Sequence, residues 1–190
     1  MSNKNIHWPY YLSLESDVDK LSRYIEFTED NYSTYSVELV RLFLSICSEV
    51  DVVMKELCAI ASPSSKPSNI DAYKKVIKAE IPSLITESAI SSKFGFYFKP
   101  WEKWETATGN PDWWKQHNNV KHQRNNFYSQ ANLKNVLEAL AALYIVNVYL
   151  HFVACKEHSK FVFSLGDTIT QLSTQLDFYR IDNHFAYISE

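Results

Sequence analysis

The chain has 190 residues, a net charge of −3 at pH 7 and 46% hydrophobic residues, enough for one domain with a proper core. Only three glycines and six prolines occur, which speaks against Gly-rich phosphate loops and against a turn-dense all-β fold. The acidic balance excludes a globally basic nucleic-acid coat protein while leaving room for a local basic patch.

Taken in chain order, the polar first eight residues lack the apolar run of a signal peptide. Ser16-Asp17-Val18-Asp19 reads as a capped helix start, and Leu14, Val18, Leu21 and Ile25 recur at helical steps over about 14–28. The second helix, 35–61, carries Leu39, Phe43, Ile46, Val50, Val53, Leu57 and Ile60 in alternating steps of four and three, flanked by Val40, Cys47, Met54 and Ala61. A Ser/Pro loop stops it. A third helix is expected to start at Ser68 or Asn69 and to carry Ile70, Tyr73, Val76 and Ile77 before Pro82. Around 82–109 an aromatic-rich insertion follows, in which Phe94, Phe96 and Phe98 alternate about Gly95 as in a hairpin. Its rings, beside Lys93, Lys99 and Lys103, suit either base stacking or a satellite hydrophobic cluster.

Asn110-Pro111 predicts an N-cap and first helical residue for a helix over 112–130. The helix after it, 132–156, is apolar on nearly every side, through Leu133, Val136, Leu137, Leu140, Leu143 and Val148. Glu138, Asn147 and His151 within it are costly in hydrocarbon, so it reads as the centre of a bundle and not as a membrane span. In the tail, Asp167 or Thr168 is expected to cap a short helix through Ile169, Leu172 and Leu176. The expected architecture is one all-α helical bundle spanning 1–190, with its core at about 14–156 and a C-terminal appendage at 157–190. Three cysteines without a CxxC argue for a reducing, cytoplasmic setting. His151, Cys155 and His158 share a helix face but lack a fourth ligand, so no metal and no cofactor is expected.

The chemistry concentrates in 113–126, which holds two Trp, two His, two Lys, one Arg and four Asn, and no acid occurs from 113 to 137. On a helical wheel His117, Lys121, Arg124 and Tyr128 form a cationic stripe, with Asn118, His122, Asn125 and Ser129 beside it. Solvent exposure, a polar dimer interface and a phosphate or RNA site are the three readings of such a stripe. Glu49 and Asp51, which interrupt the apolar second helix, are its natural acid partners, and a carboxylate can hold a guanidinium in a fixed orientation. Arg124 is therefore expected to be partly buried against Glu49.

These features resemble a known family. An acid within the long second helix, in Ser48-Glu49-Val50-Asp51, and a later block of Trp114, Asn118, Lys121, His122 and Arg124 leading into an Ala/Leu-rich helix look like bacterial HEPN-type proteins. Those are helical nucleotide- and RNA-associated domains of toxin–antitoxin and phage-defence systems. Catalytic members pair an Arg with a His across a dimer to cleave RNA, and Arg124-Asn125 matches what often starts that motif. The resemblance implies a homodimer directed at RNA, as a metal-independent ribonuclease or an RNA binder. In that role Arg124 would stabilise the pentacoordinate phosphate, His122 or His117 would move the 2′-hydroxyl proton, and Lys121 would hold the backbone. The alternative is a non-catalytic dimerisation or interaction module that meets a protein partner through the same block.

Overall fold

The structure is a computed structural model that describes residues 6–106, 108–158, 164–172 and 178–181. Among the described residues helix accounts for 69%, in seven α-helices beside a small three-stranded sheet. Among the described residues the sheet is the one departure from an all-α chain; two of its strands come from the aromatic insertion and the third from the C-terminal segment.

Helix α1 (His7–Leu21) begins earlier than its capping signal suggested. Trp8, Tyr11, Leu14, Val18 and Leu21 form one buried stripe, and burying that stripe outweighs the local preference of Ser16-Asp17 for a helix start. Pro9 falls in the first turn, where its missing N–H costs nothing. Asp17 and Asp19 tie α1 to other elements instead: Arg41 donates to Asp17 at 2.9 Å and Lys93 to Asp19 at 2.5 Å. Helix α2 (Val37–Ala61) follows its heptad stripe, which is buried from Leu39 to Leu57. The Ser36 hydroxyl caps it, accepting from the Leu39 N–H at 3.2 Å. Asn69 caps α3 (Ile70–Glu80) in the same way at 3.0 Å.

After the short α4 (Ser83–Thr86), strands β1 (Ala89–Ser91) and β2 (Phe96–Phe98) form an antiparallel hairpin with Ala89 opposite Phe98. Gly95 supplies the positive φ of 72° that the turn requires. The far edge of β1 pairs with β3 (Arg180–Ile181), giving the order β2-β1-β3. Phe96, Phe98, Trp101 and Trp104 are buried, with the Trp101 and Trp104 rings 4.5 Å apart, and they belong to the main core, neither a separate satellite cluster nor a base-stacking platform.

Helix α5 (Asp112–Phe127) starts at the expected residue, but with its cap shifted by one. Pro111 takes the cap position, and Asn110 accepts instead from the Trp104 indole N–H at 3.1 Å. Helix α6 (Leu133–His158) is the central rod: 78% of its apolar window lies inside the molecule. Its most extensive partner is α2, but the antiparallel packing that two long neighbouring helices suggest is not found. A bridge between Tyr35 and Asn132, with the Leu133 N–H donating to Thr34 O at 2.9 Å, joins the starts of both helices. Ile60 and Ala61 meet Tyr149 and Phe152 around one groove at their far ends, so the two run side by side in parallel. Ser164 caps α7 (Leu165–Gln171) in a reciprocal capping box with Asp167, three residues before the position read from the sequence; Leu176 lies outside the described residues. Phe178, Tyr179 and Ile181 join the same core as α1, α2 and α6, and the Tyr179 hydroxyl donates to Leu137 O at 3.0 Å.

Candidate nucleic-acid interface

Helix α5 is held by its first half. Trp113, Trp114, His117 and Val120 are buried, and the Trp113 indole donates to Pro100 O at 3.0 Å. Asn135 of α6 donates to Gln116 and, at 2.6 Å, to Gln130 O, while Asn119 donates to Gln130 at 3.0 Å. Between Val120 and Phe127 no apolar residue anchors the helix, and its Asn, Gln and His residues have weak helix preference. The backbone breaks there: Gln123 adopts φ −139°, ψ 51°.

That break decides where the cationic block points. Lys121, His122, Arg124 and Asn125 are all exposed. The expected Arg124–Glu49 pair does not form, because the kink turns Arg124 to solvent and Glu49 is taken by another residue. His7, at the start of α1, is buried between two carboxylates of α2, with Nδ1 2.6 Å from Glu49 and Nε2 2.8 Å from Glu56. A carboxylate oxygen beside each ring nitrogen favours the imidazolium form of His7, which donates from both. Burial pushes its pKa down, but the bonds to Glu49 and Glu56 outweigh that and leave it raised. The sequence carried one sign of this clamp: Glu49 and Glu56 lie seven apart, on one face of α2 next to the core stripe, and acids so placed call for a cation.

The other half of the predicted block borders a cleft. Ser48 and Asp51 of α2, the turn before α3, and Trp114, His117, Asn118 and Lys121 of α5 line a space of about 460 Å³. His117 is 5% exposed and packs between Trp114, 5.4 Å away, and the edge-on ring of Phe43 at 5.9 Å. Its Nδ1 is buried without a hydrogen-bond partner. Burial, with Lys121 and His122 beside it, pushes the imidazole down to about 4, against an opposing pull from Asp51. At neutral pH it is therefore an uncharged ring offering one donor and one acceptor. Asp51 is held from both sides, accepting from the Tyr73 hydroxyl at 2.9 Å and from the Lys55 ammonium.

The predicted residues thus divide into four places. His117, Asn118, Lys121 and Asp51 share the cleft; His122, Arg124 and Asn125 lie on the exposed end of α5; Glu49 belongs to the His7 clamp. Tyr128 is half-buried, edge-on to Tyr35 at 5.9 Å. In α6, His151 Nε2 lies 3.5 Å from Cys155 Sγ, and the His158 side chain lies outside the described part. Among the described residues no group of three or more His, Cys, Asp or Glu is placed to hold a metal. No family model, curated protein or solved structure matches the chain.

Proposed function

We propose that this chain is an RNA-directed, HEPN-like helical protein, of the kind found in defence or toxin–antitoxin systems, that contacts phosphates with the exposed end of α5. One observation carries the reading: in a net-acidic chain, the acid-free run leaves Lys121, His122 and Arg124 in solvent, unneutralised by the acids of α2, with Lys121 at the rim of the cleft. Cations on an exposed helix end meet phosphate without prior loss of a partner, and binding then releases counterions. Binding needs only what one protomer presents. Cleavage needs a second copy, because the break at Gln123 separates His122 from Arg124 and His117 is too weak a base to hold a proton at neutral pH.

Fluorescence anisotropy with a labelled single-stranded RNA tests the proposal. Saturable binding is expected at low salt, with log Kd rising with log salt by about 0.7 for each phosphate contact. Arg124→Glu should weaken binding and lower that slope without changing the melting temperature. RNA that stays free at low salt, or binds the variant equally well, rules the reading out. Cyclic-phosphate ends formed without metal by the wild type but not by His122→Ala would make the protein a nuclease as well as a binder. The interaction-module alternative draws on Tyr35 and Val37, which are 53% and 78% exposed, the former against Tyr128. A dimer that Val37→Lys dissociates, in a protein indifferent to RNA, would favour it.

A further inference from the structure

We infer that the cleft between α2 and α5 recognises a nucleobase carrying an exocyclic amino group, with Asp51 as the selecting acceptor and Lys121 holding the attached phosphate. The inference builds on the RNA reading above by naming what the site beside the cationic block selects. About 460 Å³ lies within the range of small-ligand sites, roughly 300–1,000 Å³. The chemistry of the walls is that of a base pocket. Trp114 and His117 supply aromatic surface, while Ser48, Asp51 and Asn118 place polar groups around it.

His117 is the strongest pointer to a ligand. It is almost completely buried, it lines the cleft, and its Nδ1 has no protein partner. Buried polar atoms are nearly always paired, so this nitrogen, closed to solvent in the free protein, would gain a partner if the ring turned toward a bound molecule. An uncharged imidazole, donor on one side and acceptor on the other, matches the mixed donor and acceptor edge of a base. Asp51 narrows the choice further. Its carboxylate can only accept, and Tyr73 and Lys55 fix its direction while leaving lone pairs free on both oxygens. Adenine, cytosine and guanine each offer it an amino group. Uracil has no amino group, and its one donor on that edge, N3–H, is flanked by two carbonyl oxygens that repel the carboxylate, so it is disfavoured. Lys121, exposed at the rim, reaches the phosphate, whether of a free nucleoside monophosphate or of one residue in an RNA strand.

The test is a titration of the whole protein with AMP, CMP, GMP and UMP, and with short oligoadenylate and oligouridylate RNAs, by calorimetry and by NMR of the His117 and Trp114 ring signals. Saturable binding of AMP is expected, with UMP at least about tenfold weaker, the effect of one lost hydrogen bond plus carbonyl–carboxylate repulsion. Asp51→Asn should bring AMP and UMP to within a few-fold of each other, because an amide can donate as well as accept. Ser48→Trp adds bulk from an exposed position in the cleft wall, so the fold is kept and binding of all four should be lost. Circular dichroism of each variant confirms the fold. Equal affinity for AMP and UMP, or ring signals that none of the six probes shifts, overturns the inference. In that second case RNA binding that Arg124→Glu weakens would leave the surface reading standing. AMP bound in the cleft, with RNA no tighter than AMP and indifferent to Arg124→Glu, supports the cleft as a free-nucleotide site and removes the RNA reading.

Discussion

Two buried histidines, His7 and His117, sit in opposite electrostatic settings and give the fold a pH optimum. The His7 pKa is raised above the ordinary 6.5, so its stabilisation is complete below pH 6.5 and is lost as pH rises through the folded value. The His117 pKa is lowered to about 4, so its contribution is complete above pH 6.5 and is lost as pH falls toward 4, a span worth on the order of 3 kcal/mol. Urea denaturation across this range should show maximal stability near pH 6.5. His117→Phe should flatten the acid limb and His7→Gln the alkaline limb; profiles in which either variant parallels the wild type would contradict the assignment. His117 was legible because it belongs to a helical stripe rich in polar groups. His7 was not, because its partners lie 42 and 49 residues away and only the fold brings them together.

Whole elements were read best where burial and periodicity agree. The stripe of α2 and the all-round apolar α6 depend on no single residue, and both helices fall where the pattern put them. Starts were read worst. The stripe of α1 starts at Trp8, well ahead of the expected start, while Ser16-Asp17 offered a stronger but false signal. The break at Gln123 left no mark either, since a run of polar residues can continue a helix or abandon it. The hairpin was legible from Phe94, Phe96 and Phe98 alternating about one glycine. Gly95 meets nothing within 4 Å, so Gly95→Ala should cost only its backbone conformation, about 1 kcal/mol, with no clash. A loss above about 3 kcal/mol by thermal denaturation would mean that the turn does not have this geometry.

At the scale of the molecule, segments distant in sequence close one core. Phe178 is fully buried and packs 5.3 Å from Phe94, while β3 supplies the outer strand of the sheet. Phe178→Ala should therefore cost about 3–5 kcal/mol in urea denaturation, as in any core. A cost below 1 kcal/mol would show that this segment is not part of the core. That packing was not legible beforehand, because Phe178 and Tyr179 stand outside any periodic stripe. The parallel seam of α2 and α6 was equally hidden, since periodicity fixes a helix face and says nothing of direction. The clasp of Thr34 and Tyr35 to Asn132 and Leu133 has a kinetic corollary. Each long helix can nucleate locally in about a microsecond, but the seam between them must wait for a long intervening loop to close. The protein is helical in content, yet it should fold more slowly than a bundle whose long helices pair with their neighbours in sequence.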